Sequence, residues 1–384
     1  MRKGPLAGLK VVEMVGVGPG PFAAMWMADM GAEIIRVDRP GQRYNQTRGD
    51  LLNRGRRSLA VDLKKAGAAE VVLRLVAQAD VLIEGFRPGV MERLGLGPDA
   101  AMALNPRLIY SRITGWGQDG PLAQRAGHDL NYLAVTGILA TLGPEDRPPP
   151  PPLNLVGDFG GGGMLLLSGI LAALVERGVS GKGQVVDAAM FEGASLLASM
   201  IWGYHHKGHW KAERNANIFD GGAPFYRTYR CADGKFVALA AIEPEFWNIF
   251  LDRAGIDDEE LRTRQKERDC WPELASKLEA IFLTRSRDEW CSLLEYVDAC
   301  VSPVLQFGEA AQHPHNAARS ALAEHNSLSQ PAVAPKFLRT PGEAGGPPPY
   351  VGEQTRDILI DWAFAPEETD ALLKAGVVWQ GSAA

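Results

Sequence analysis

The sequence predicts an α/β protein, with a large domain built on a Rossmann-like parallel sheet and a smaller α+β domain. Its 384 residues exceed what one small hydrophobic core needs, so two domains are expected. The first third alternates short apolar runs with segments of helical periodicity, the pattern of parallel strands joined by helices. From Tyr226 the pattern changes to a hairpin around Asp233-Gly234 followed by helices, which predicts the second domain.

Apolar spacing and the positions of glycine and proline place the individual elements. Strands are predicted at 9–14, 33–37, 59–63, 81–84, 108–113 and 185–187, then a hairpin over 226–241 and a strand at 301–304. Helices are predicted at 21–30, 66–78, 128–142, 162–177, 191–210, 244–254, 271–283, 287–297, 357–362 and 366–375. The proline run 148–152 predicts an extended polyproline II segment, because proline cannot continue a helix.

The overall composition excludes several classes of protein. A net charge of −6 and a pI near 5.7 argue against nucleic-acid binding, which requires clustered lysine and arginine. The longest apolar run, 164–175, is interrupted by Ser168 and Gly169 and falls short of the roughly 20 residues that a membrane helix needs. No signal peptide is recognised and the four cysteines form no CxxC pair, so a reduced, cytoplasmic protein without membrane insertion is expected.

Three histidines, His205, His206 and His209, lie close together in the sequence. No carboxylate or cysteine completes a metal-binding set with them, and Trp202 and Trp210 flank them. We therefore expect a surface or interface patch at this position, and no metal site.

A glycine-rich turn, Gly16-Val-Gly-Pro-Gly-Pro21, follows the first predicted strand. With Asp38 about 20 residues further on, it imitates the fingerprint of dinucleotide-binding proteins. Pro21 stands where the third glycine is required, which disfavours a nicotinamide cofactor.

Basic residues follow the predicted strands at the edge where open α/β sheets bind ligands, namely Arg39, Lys64, Arg87 and Arg93. Together they favour a polyphosphate ligand such as coenzyme A.

Two short segments contain side chains that are able to move protons. His128 lies within 126–132 (Ala-Gly-His-Asp-Leu-Asn-Tyr), and Asp158 lies within 154–159 (Asn-Leu-Val-Gly-Asp-Phe), which four glycines follow. An imidazole and a carboxyl beside backbone N–H groups are suited to removing and returning a proton next to a carbonyl. The pair therefore predicts an enzyme that inverts or exchanges a stereocentre without redox chemistry.

Several short stretches occur along most of the chain in an order that is typical of one family. They are 17–21 (Val-Gly-Pro-Gly-Pro), 37–40 (Val-Asp-Arg-Pro), 84–90 (Glu-Gly-Phe-Arg-Pro-Gly-Val), 115–118 (Gly-Trp-Gly-Gln), 126–132, 154–162, 220–224 (Asp-Gly-Gly-Ala-Pro) and 241–244 (Ala-Ile-Glu-Pro). The chain thereby resembles the family III coenzyme A transferases. The segments around His128 and Asp158 make the resemblance closest to the α-methylacyl-CoA racemase branch.

The resemblance implies roles for individual residues. His128 and Asp158 would form the acid/base pair, and Glu243 would support His128. Backbone N–H groups near Asp129 would stabilise an enolate oxygen. Coenzyme A would enter as part of the substrate, with no separate cofactor, and would be held by a larger set of residues. These are Arg39, Val61, Asp62, Leu63, Lys64, Gly85, Phe86, Arg87, Arg93, Gly127, Leu130, Asn131 and Tyr132.

The resemblance also implies the domain organisation and an interlocked homodimer. The large α/β domain, which binds coenzyme A, would occupy 1–190 and be completed by the tail at about 330–384. A connecting helix and linker at 191–224 would lead into the small α+β domain at 225–310. A return linker would cover 311–330.

The activity that the resemblance implies is interconversion of (R)- and (S)-2-methylacyl-CoA thioesters by 1,1-proton transfer through an enolate. The alternative is a coenzyme A transferase, in which Asp158 attacks the acyl group and forms a mixed anhydride. His128 distinguishes the two activities, because acyl transfer needs no base at that position. A nicotinamide oxidoreductase is a third and more distant interpretation.

Overall fold

The computed structural model describes residues 3–41, 49–325 and 328–381. The chain divides into two compact units. Unit 1 comprises Met1–Thr136, Pro152–Leu197 and Ser320–Ala384, and unit 2 comprises Gly137–Pro151 and Ala198–Arg319. The predicted domain limits at 190, 224, 310 and 330 remain predictions.

Strands and helices alternate along the described part of the chain. The strands are β1 (Lys10–Met14), β2 (Glu33–Asp38), β3 (Arg56–Val61), β4 (Val81–Glu84), β5 (Ile109–Thr114), β6 (Gln184–Ala189), β7 (Tyr226–Arg230), β8 (Phe236–Ala240), β9 (Val301–Pro303), β10 (Leu322–His325), β11 (Leu328–Pro331) and β12 (Val378–Trp379). The helices are α1 (Pro19–Asp29), α2 (Ala68–Val76), α3 (Val90–Arg93), α4 (Pro98–Leu104), α5 (Asp129–Val135), α6 (Leu165–Ser180), α7 (Met190–Leu197), α8 (Ser199–His206), α9 (Pro244–Ala254), α10 (Glu259–Thr263), α11 (Trp271–Phe282), α12 (Arg287–Leu294), α13 (Phe307–Ala310), α14 (Pro314–Arg319), α15 (Thr355–Asp361) and α16 (Pro366–Lys374). A π-helix, Leu155–Met164, runs directly into α6. Short 3₁₀-helices occupy Leu51–Asn53, Leu139–Thr141 and Arg268–Cys270.

Unit 1 is built on one sheet, whose described strands lie in the order β12-β3-β2-β1-β4-β5-β6. The strands β1 to β6 run parallel to their neighbours, and β12 pairs antiparallel with β3. The predicted fold class, a parallel α/β sheet with a smaller α+β part, is confirmed. Because β1 lies between β2 and β4, the chain leaves β1 towards one side of the sheet and later continues on the other. This arrangement creates a crevice beyond the carboxyl ends of β1 and β4.

The strands β1 to β5 are largely buried on both faces of the sheet, which explains the mostly apolar sequences of β1 and β4. Successive residues of a strand point to opposite faces. Val11 and Ile83 pack on the face covered by α1 and α6. Val12 and Leu82 pack on the face covered by α2 and α15. The sheet is therefore a rigid base from which the loops at its carboxyl edge project.

Several predicted elements differ from the structure. The helix expected at 128–142 ends at Val135, because Gly137 takes a left-handed conformation (φ 82°). The helix expected at 191–210 is two helices, α7 and α8, separated at Ala198. Nothing in the local sequence marks that break. The segment 311–330, expected as a linker, contains α14, β10 and β11.

The apolar run 164–175 was expected to be too short for a membrane helix. In the structure it lies within a longer helical segment. The π-helix and α6 together extend over 26 residues, from Leu155 to Ser180. By length and composition this described segment could cross a bilayer. Its side chains Leu166, Leu167 and Ile170 are, however, buried in the core of unit 1.

In unit 2, β7, β8 and β9 form an antiparallel sheet. The predicted hairpin is present, and Gly234 takes the positive φ of 78° that its turn requires. The sheet packs with α9, α11 and α12 around a core rich in aromatic side chains. These include Phe225, Trp247, Phe250, Trp271, Phe282 and Trp290.

Candidate active site

A cleft of 770 Å³ opens at the carboxyl edge of the unit 1 sheet. It occupies the crevice between the ends of β1 and β4, where sheets of this topology bind their ligands. The lining comes from the loops after β1, β4 and β5 and from further segments of unit 1. These are 14–21, 83–88, 113–116, most of 123–128, and the side chains Tyr132, Asn154, Asp158 and Met190.

His128 stands at the wall of this cleft, immediately before α5. Its extended backbone (φ −131°, ψ 174°) ends the preceding loop, and its carbonyl accepts the N–H groups of Asn131 (2.8 Å) and Tyr132 (3.2 Å). The Asn131 side chain in turn accepts the N–H of His128 at 3.0 Å. The start of α5 therefore fixes the main chain of His128 while its side chain remains exposed.

Two glycines allow the Tyr132 ring to pack beneath the His128 loop. A Cβ at Gly115 would lie 2.2 Å from that ring, and a Cβ at Gly127 would lie 2.8 Å from it. The ring packs edge-on against Trp116 (centroids 4.8 Å apart), and its hydroxyl donates to the carbonyl of Gly127. These contacts explain why a glycine precedes both Trp116 and His128.

Asp158 lies in the π-helix and faces the same cleft. Its Oδ2 accepts a hydrogen bond from the Asn154 side chain at 3.2 Å. Its backbone N–H donates to Oδ2 of Asp129 at 2.8 Å. Asp129 follows His128 directly, and its side chain is only 5% exposed. One buried carboxyl thus ties the backbone of Asp158 to the residue next to His128.

The surroundings of Asp158 raise the pKa of its carboxyl above the ordinary value. Burial raises the pKa of Asp158, and the nearby Asp129 carboxyl raises it further. The hydrogen bond from Asn154 and the charge of His128 act in the opposite direction, lowering the pKa. The net rise in pKa is the direction that an aspartic acid needs in order to donate a proton near neutral pH.

The glycines after Asp158 allow the π-helix to lie against α1 and α7 without intervening side chains. A Cβ at Gly161 would lie 2.5 Å from the backbone N of Ala194, and a Cβ at Gly193 would lie 1.9 Å from the carbonyl oxygen of Gly161. A Cβ at Gly163 would lie 2.6 Å from the Phe22 ring. A π-helix is rare and occurs frequently at functional sites. Its glycine packing here sets the position of Asp158.

Replacing Gly161 by alanine is expected to lower the stability of the protein by about 1–3 kcal/mol, because the added methyl group meets backbone atoms of α7. The melting temperature, measured by calorimetry, should fall. The matched control is Gly178→Ala on α6, where an added Cβ meets nothing within 4 Å. That variant should melt at the same or a higher temperature, since alanine favours a helix by about 0.5–1 kcal/mol over glycine. Equal melting temperatures for both variants would contradict the packing role of Gly161.

The structure places the predicted cationic residues at one edge of the sheet. Arg39 follows β2, Lys64 lies just beyond β3, Arg87 follows β4 and Arg93 ends α3, and all of them are exposed. Gly85, Phe86, Arg87, Gly127 and Tyr132 line the cleft itself.

Other predicted coenzyme A residues have structural contacts of their own. Val61 is buried in the core, so only its main chain is available to a ligand. The N–H of Asp62 donates to the carbonyl of Val377 at 2.9 Å, and Leu63 packs against the core. Leu130 is exposed on α5, whereas the side chain of Asn131 is engaged with the N–H of His128.

Asp38 occupies the position of the acidic residue in a dinucleotide-binding fingerprint, but it is 2% exposed. Both of its carboxyl oxygens accept from Nε of Arg36 at 2.9 Å, and Ser58 donates to it at 2.5 Å. A ribose hydroxyl therefore has no access to this carboxyl. Asp38 therefore does not present its carboxyl in the way that a dinucleotide-binding fingerprint requires.

Glu243 belongs to unit 2, where it directly precedes α9, and Pro244 is the first helical residue. It is exposed. The neighbouring carbonyl of Ile242 accepts hydrogen bonds from Lys266 at 2.5 Å and Gln265 at 3.3 Å. The support of His128 by Glu243 remains a prediction.

Sequence reasoning did not assign a role to Glu84, which the structure places in the cleft lining. It is the last residue of β4 and 4% exposed. Asn154, the hydrogen-bond donor to Asp158, was also missed as a separate site residue. The sequence offered one indication of Glu84, namely that an acidic residue ends a strand whose other residues are all apolar.

The chain is similar to known members of one family. A sequence model described as CoA-transferase family III matches residues 6–355. The chain is 46% identical over 365 residues to an alpha-methylacyl-CoA racemase of Mus musculus, covering 94% of each chain. It is 32% identical over 393 residues to a succinyl-CoA–D-citramalate CoA-transferase of Chloroflexus aurantiacus, covering 97% of each chain. A crystal structure of a CAIB/BAIF family protein from Brucella suis superposes with a TM-score of 0.82 at 28% identity, covering 94% of this chain and 100% of that one.

Proposed function

The chain belongs to CoA-transferase family III, and from this we propose that it is a racemase of 2-methylacyl-CoA thioesters. The observation that carries the proposal is that an imidazole and a carboxyl, His128 and Asp158, line one cleft. The higher identity to a racemase (46%) than to a coenzyme A transferase (32%) supports the same activity.

In the proposed mechanism, the α-carbon of the thioester lies between His128 and Asp158. One of the two groups removes the α-proton from its face, which leaves a thioester enolate. The other group returns a proton to the opposite face and so inverts the stereocentre. The roles exchange for the other enantiomer, and each well-placed group is worth about 10² to 10⁴ in rate.

Asp158 must be protonated in one direction of this reaction. With an ordinary pKa near 3.9, only about one molecule in a thousand is protonated at pH 7, which costs about 4 kcal/mol. Burial raises the pKa of Asp158 and so reduces this cost. The same burial makes the aspartate a stronger base when the reaction runs the other way.

The negative charge of the enolate oxygen also requires stabilisation. The first amide N–H groups of a helix have no partner within that helix, and α5 begins at Asp129, next to His128. The N–H groups of Asn131 and Tyr132 donate to the carbonyl of His128, so we propose that those of Asp129 and Leu130 donate to the enolate oxygen. Loss of one such donor typically costs roughly 3–4 kcal/mol.

Coenzyme A is proposed to bind as part of the substrate, with no other cofactor. The exposed cations Arg39, Lys64, Arg87 and Arg93 suit its phosphates. Of these cations, Arg87 lines the cleft together with Gly85 and Phe86. The thioester would thereby reach His128 and Asp158.

The proposal is tested with one enantiomer of a 2-methylacyl-CoA, offered together with a free carboxylic acid. A racemase lowers the optical purity of the acyl-CoA and leaves the thioester bond intact. Unchanged optical purity together with transfer of coenzyme A to the added acid would establish the transferase instead. In that case Asp158 would carry the acyl group as a mixed anhydride, which hydroxylamine traps as a hydroxamate.

We also propose that two chains associate. Several apolar side chains on the π-helix, α6 and α7 are 46–89% exposed in the single chain: Leu155, Met164, Val175, Val179, Leu196 and Leu197. Apolar surface of this extent on neighbouring elements marks an interaction site. A second copy is the partner that the family resemblance implies.

Leu196→Asp is expected to convert such a dimer largely to monomer, because an unpaired carboxylate would be buried in the apolar interface. Sedimentation velocity measures the change. The control is Leu104→Asp, which places the same charge on the exposed side of α4 and should leave the dimer intact. A monomeric wild type, or a dimer that survives Leu196→Asp, would contradict the proposed interface.

A further inference from the structure

Glu84 is a buried acid in the cleft for which the proposed mechanism has no role. It ends β4, is 4% exposed, and contributes to the cleft lining. One carboxyl oxygen accepts the N–H of Phe86 at 2.8 Å. The other lies 3.5 Å from Nε of Arg112. Glu84 therefore holds the loop that contains Phe86 and Arg87 through its own side chain.

Arg112 connects this loop with the next one. It lies on β5 in register with Glu84, and its side chain is 11% exposed. The guanidinium also contacts Glu92 on α3 and donates to the side-chain oxygen of Gln118 at 3.0 Å. Gln118 lies two residues after Trp116, which lines the cleft. The pair thus joins the loops after β4 and β5.

We propose that Glu84 is a positioning residue, which through Arg112 fixes the two loops that receive the coenzyme A part of the substrate. This inference rests on the coenzyme A binding in the proposed function. Glu84 does not touch the reacting carbon in this scheme. It acts by setting the positions of Phe86 and Arg87 on one loop and of Trp116 on the other.

The pair responds to pH in a defined direction. Burial raises the pKa of Glu84 from its ordinary value of 4.5 to about 7. The hydrogen bond from the N–H of Phe86 and the charge of Arg112 on β5 lower its pKa. The charges of Glu92 on α3 and Asp187 on β6 raise it. Above pH 7 Glu84 is ionised and pairs with Arg112. Below pH 7 it takes up a proton, and the attraction to Arg112 is lost.

The test compares the affinities of the wild type and Glu84→Gln for free coenzyme A, measured by titration calorimetry between pH 6 and pH 8. Glutamine has the shape of protonated glutamic acid and can still accept the N–H of Phe86. At pH 8 the variant should bind about ten-fold more weakly, the size of effect that loss of one close charge pair gives. At pH 6 the two proteins should bind nearly equally. Titration of the ligand's own phosphate cancels in this ratio.

The control is Asp80→Asn, at the opposite end of the same strand. Asp80 pairs with Arg177 at 2.9 Å and accepts the N–H of Lys10, but it lies outside the cleft lining. Its removal should leave the affinity for coenzyme A unchanged at both pH values. The proposal is overturned if the ratio of the wild-type affinity to the Glu84→Gln affinity stays constant with pH. It is also overturned if that ratio equals one at pH 8.

Stability separates this role from a purely structural one. Because the raised pKa of Glu84 means that its ionised form destabilises the fold, the neutral glutamine should not lower the melting temperature at pH 8. If Glu84→Gln melts at a lower temperature than the wild type but binds coenzyme A equally well, the pair of Glu84 and Arg112 has only a structural role. Should Glu84→Gln fail to fold, Arg112→Lys takes its place. That variant should lose a comparable amount of affinity for coenzyme A at pH 8. Wild-type affinity would overturn the proposal. A wild type that does not bind coenzyme A would refute the proposed function itself.

Discussion

Replacing Asp158 by asparagine is expected to lower the rate of racemisation by about 10² to 10⁴-fold. Asparagine keeps the size of the side chain, and its backbone N–H can still donate to Asp129, so the π-helix should remain in place. What is lost is the carboxyl that the proposed mechanism places on this face of the substrate. The rate is measured in both directions with enantiopure 2-methylacyl-CoA.

The same variant gives a second, stereochemical result. In deuterium oxide it should exchange the α-proton of only one enantiomer, the one whose proton faces His128. Its affinity for coenzyme A should stay close to that of the wild type. Asp99→Asn, an exposed carboxyl on α4, is the control and should racemise normally. Racemisation by Asp158→Asn at the wild-type rate would remove this residue from the mechanism.

Replacing His128 by asparagine is expected to lower the rate of racemisation by a similar factor, about 10² to 10⁴-fold, because the base on the other face of the substrate is removed. Its backbone N–H, which donates to Asn131, is retained, so α5 should still begin at Asp129. α-Proton exchange should then persist only for the enantiomer that Asp158→Asn fails to exchange. The two variants together assign one face of the substrate to each group.

The control for this variant is His315→Asn, which removes an exposed imidazole from unit 2. It should have the activity of the wild type. If His128→Asn instead loses racemisation but transfers coenzyme A to a free carboxylic acid, the imidazole distinguishes the two activities of the family as expected. If it racemises at the wild-type rate, the acid/base pair is wrong.

Much of the fold could be predicted because the strands β1 to β5 are largely buried on both faces of the sheet. Burial of that kind leaves continuous apolar runs, as in β1 and β4, that are visible without the structure. The strand β12 could not be predicted. Its two residues pair with β3 from the far end of the chain, and no local pattern specifies such a partner.

Part of the candidate site could also be predicted, because its chemistry is carried by short local motifs. His128 and Asp158 carry distinctive chemistry in short motifs, so their sequence alone marked them. Asp158 was expected on a loop, with the next helix beginning only at Gly162, whereas the structure places Asp158 within a π-helix. A run of glycines does not predict a helix until its contacts with α7 are known. The carboxyl of Asp129 bonds to Asp158, a contact that depends on tertiary packing. The pairing of Glu84 with Arg112 depends on the register of β4 and β5, which spacing along the chain does not reveal.

The central claim is that two groups on opposite faces of one carbon remove and return its proton. The most direct measurement is incubation of one enantiomer of a 2-methylacyl-CoA with the wild-type protein in deuterium oxide, followed by NMR and chiral analysis. The claim predicts that inverted product carries one deuterium at the α-carbon, whichever enantiomer is supplied. Deuterium uptake with complete retention of configuration, or inversion without any deuterium, would contradict it.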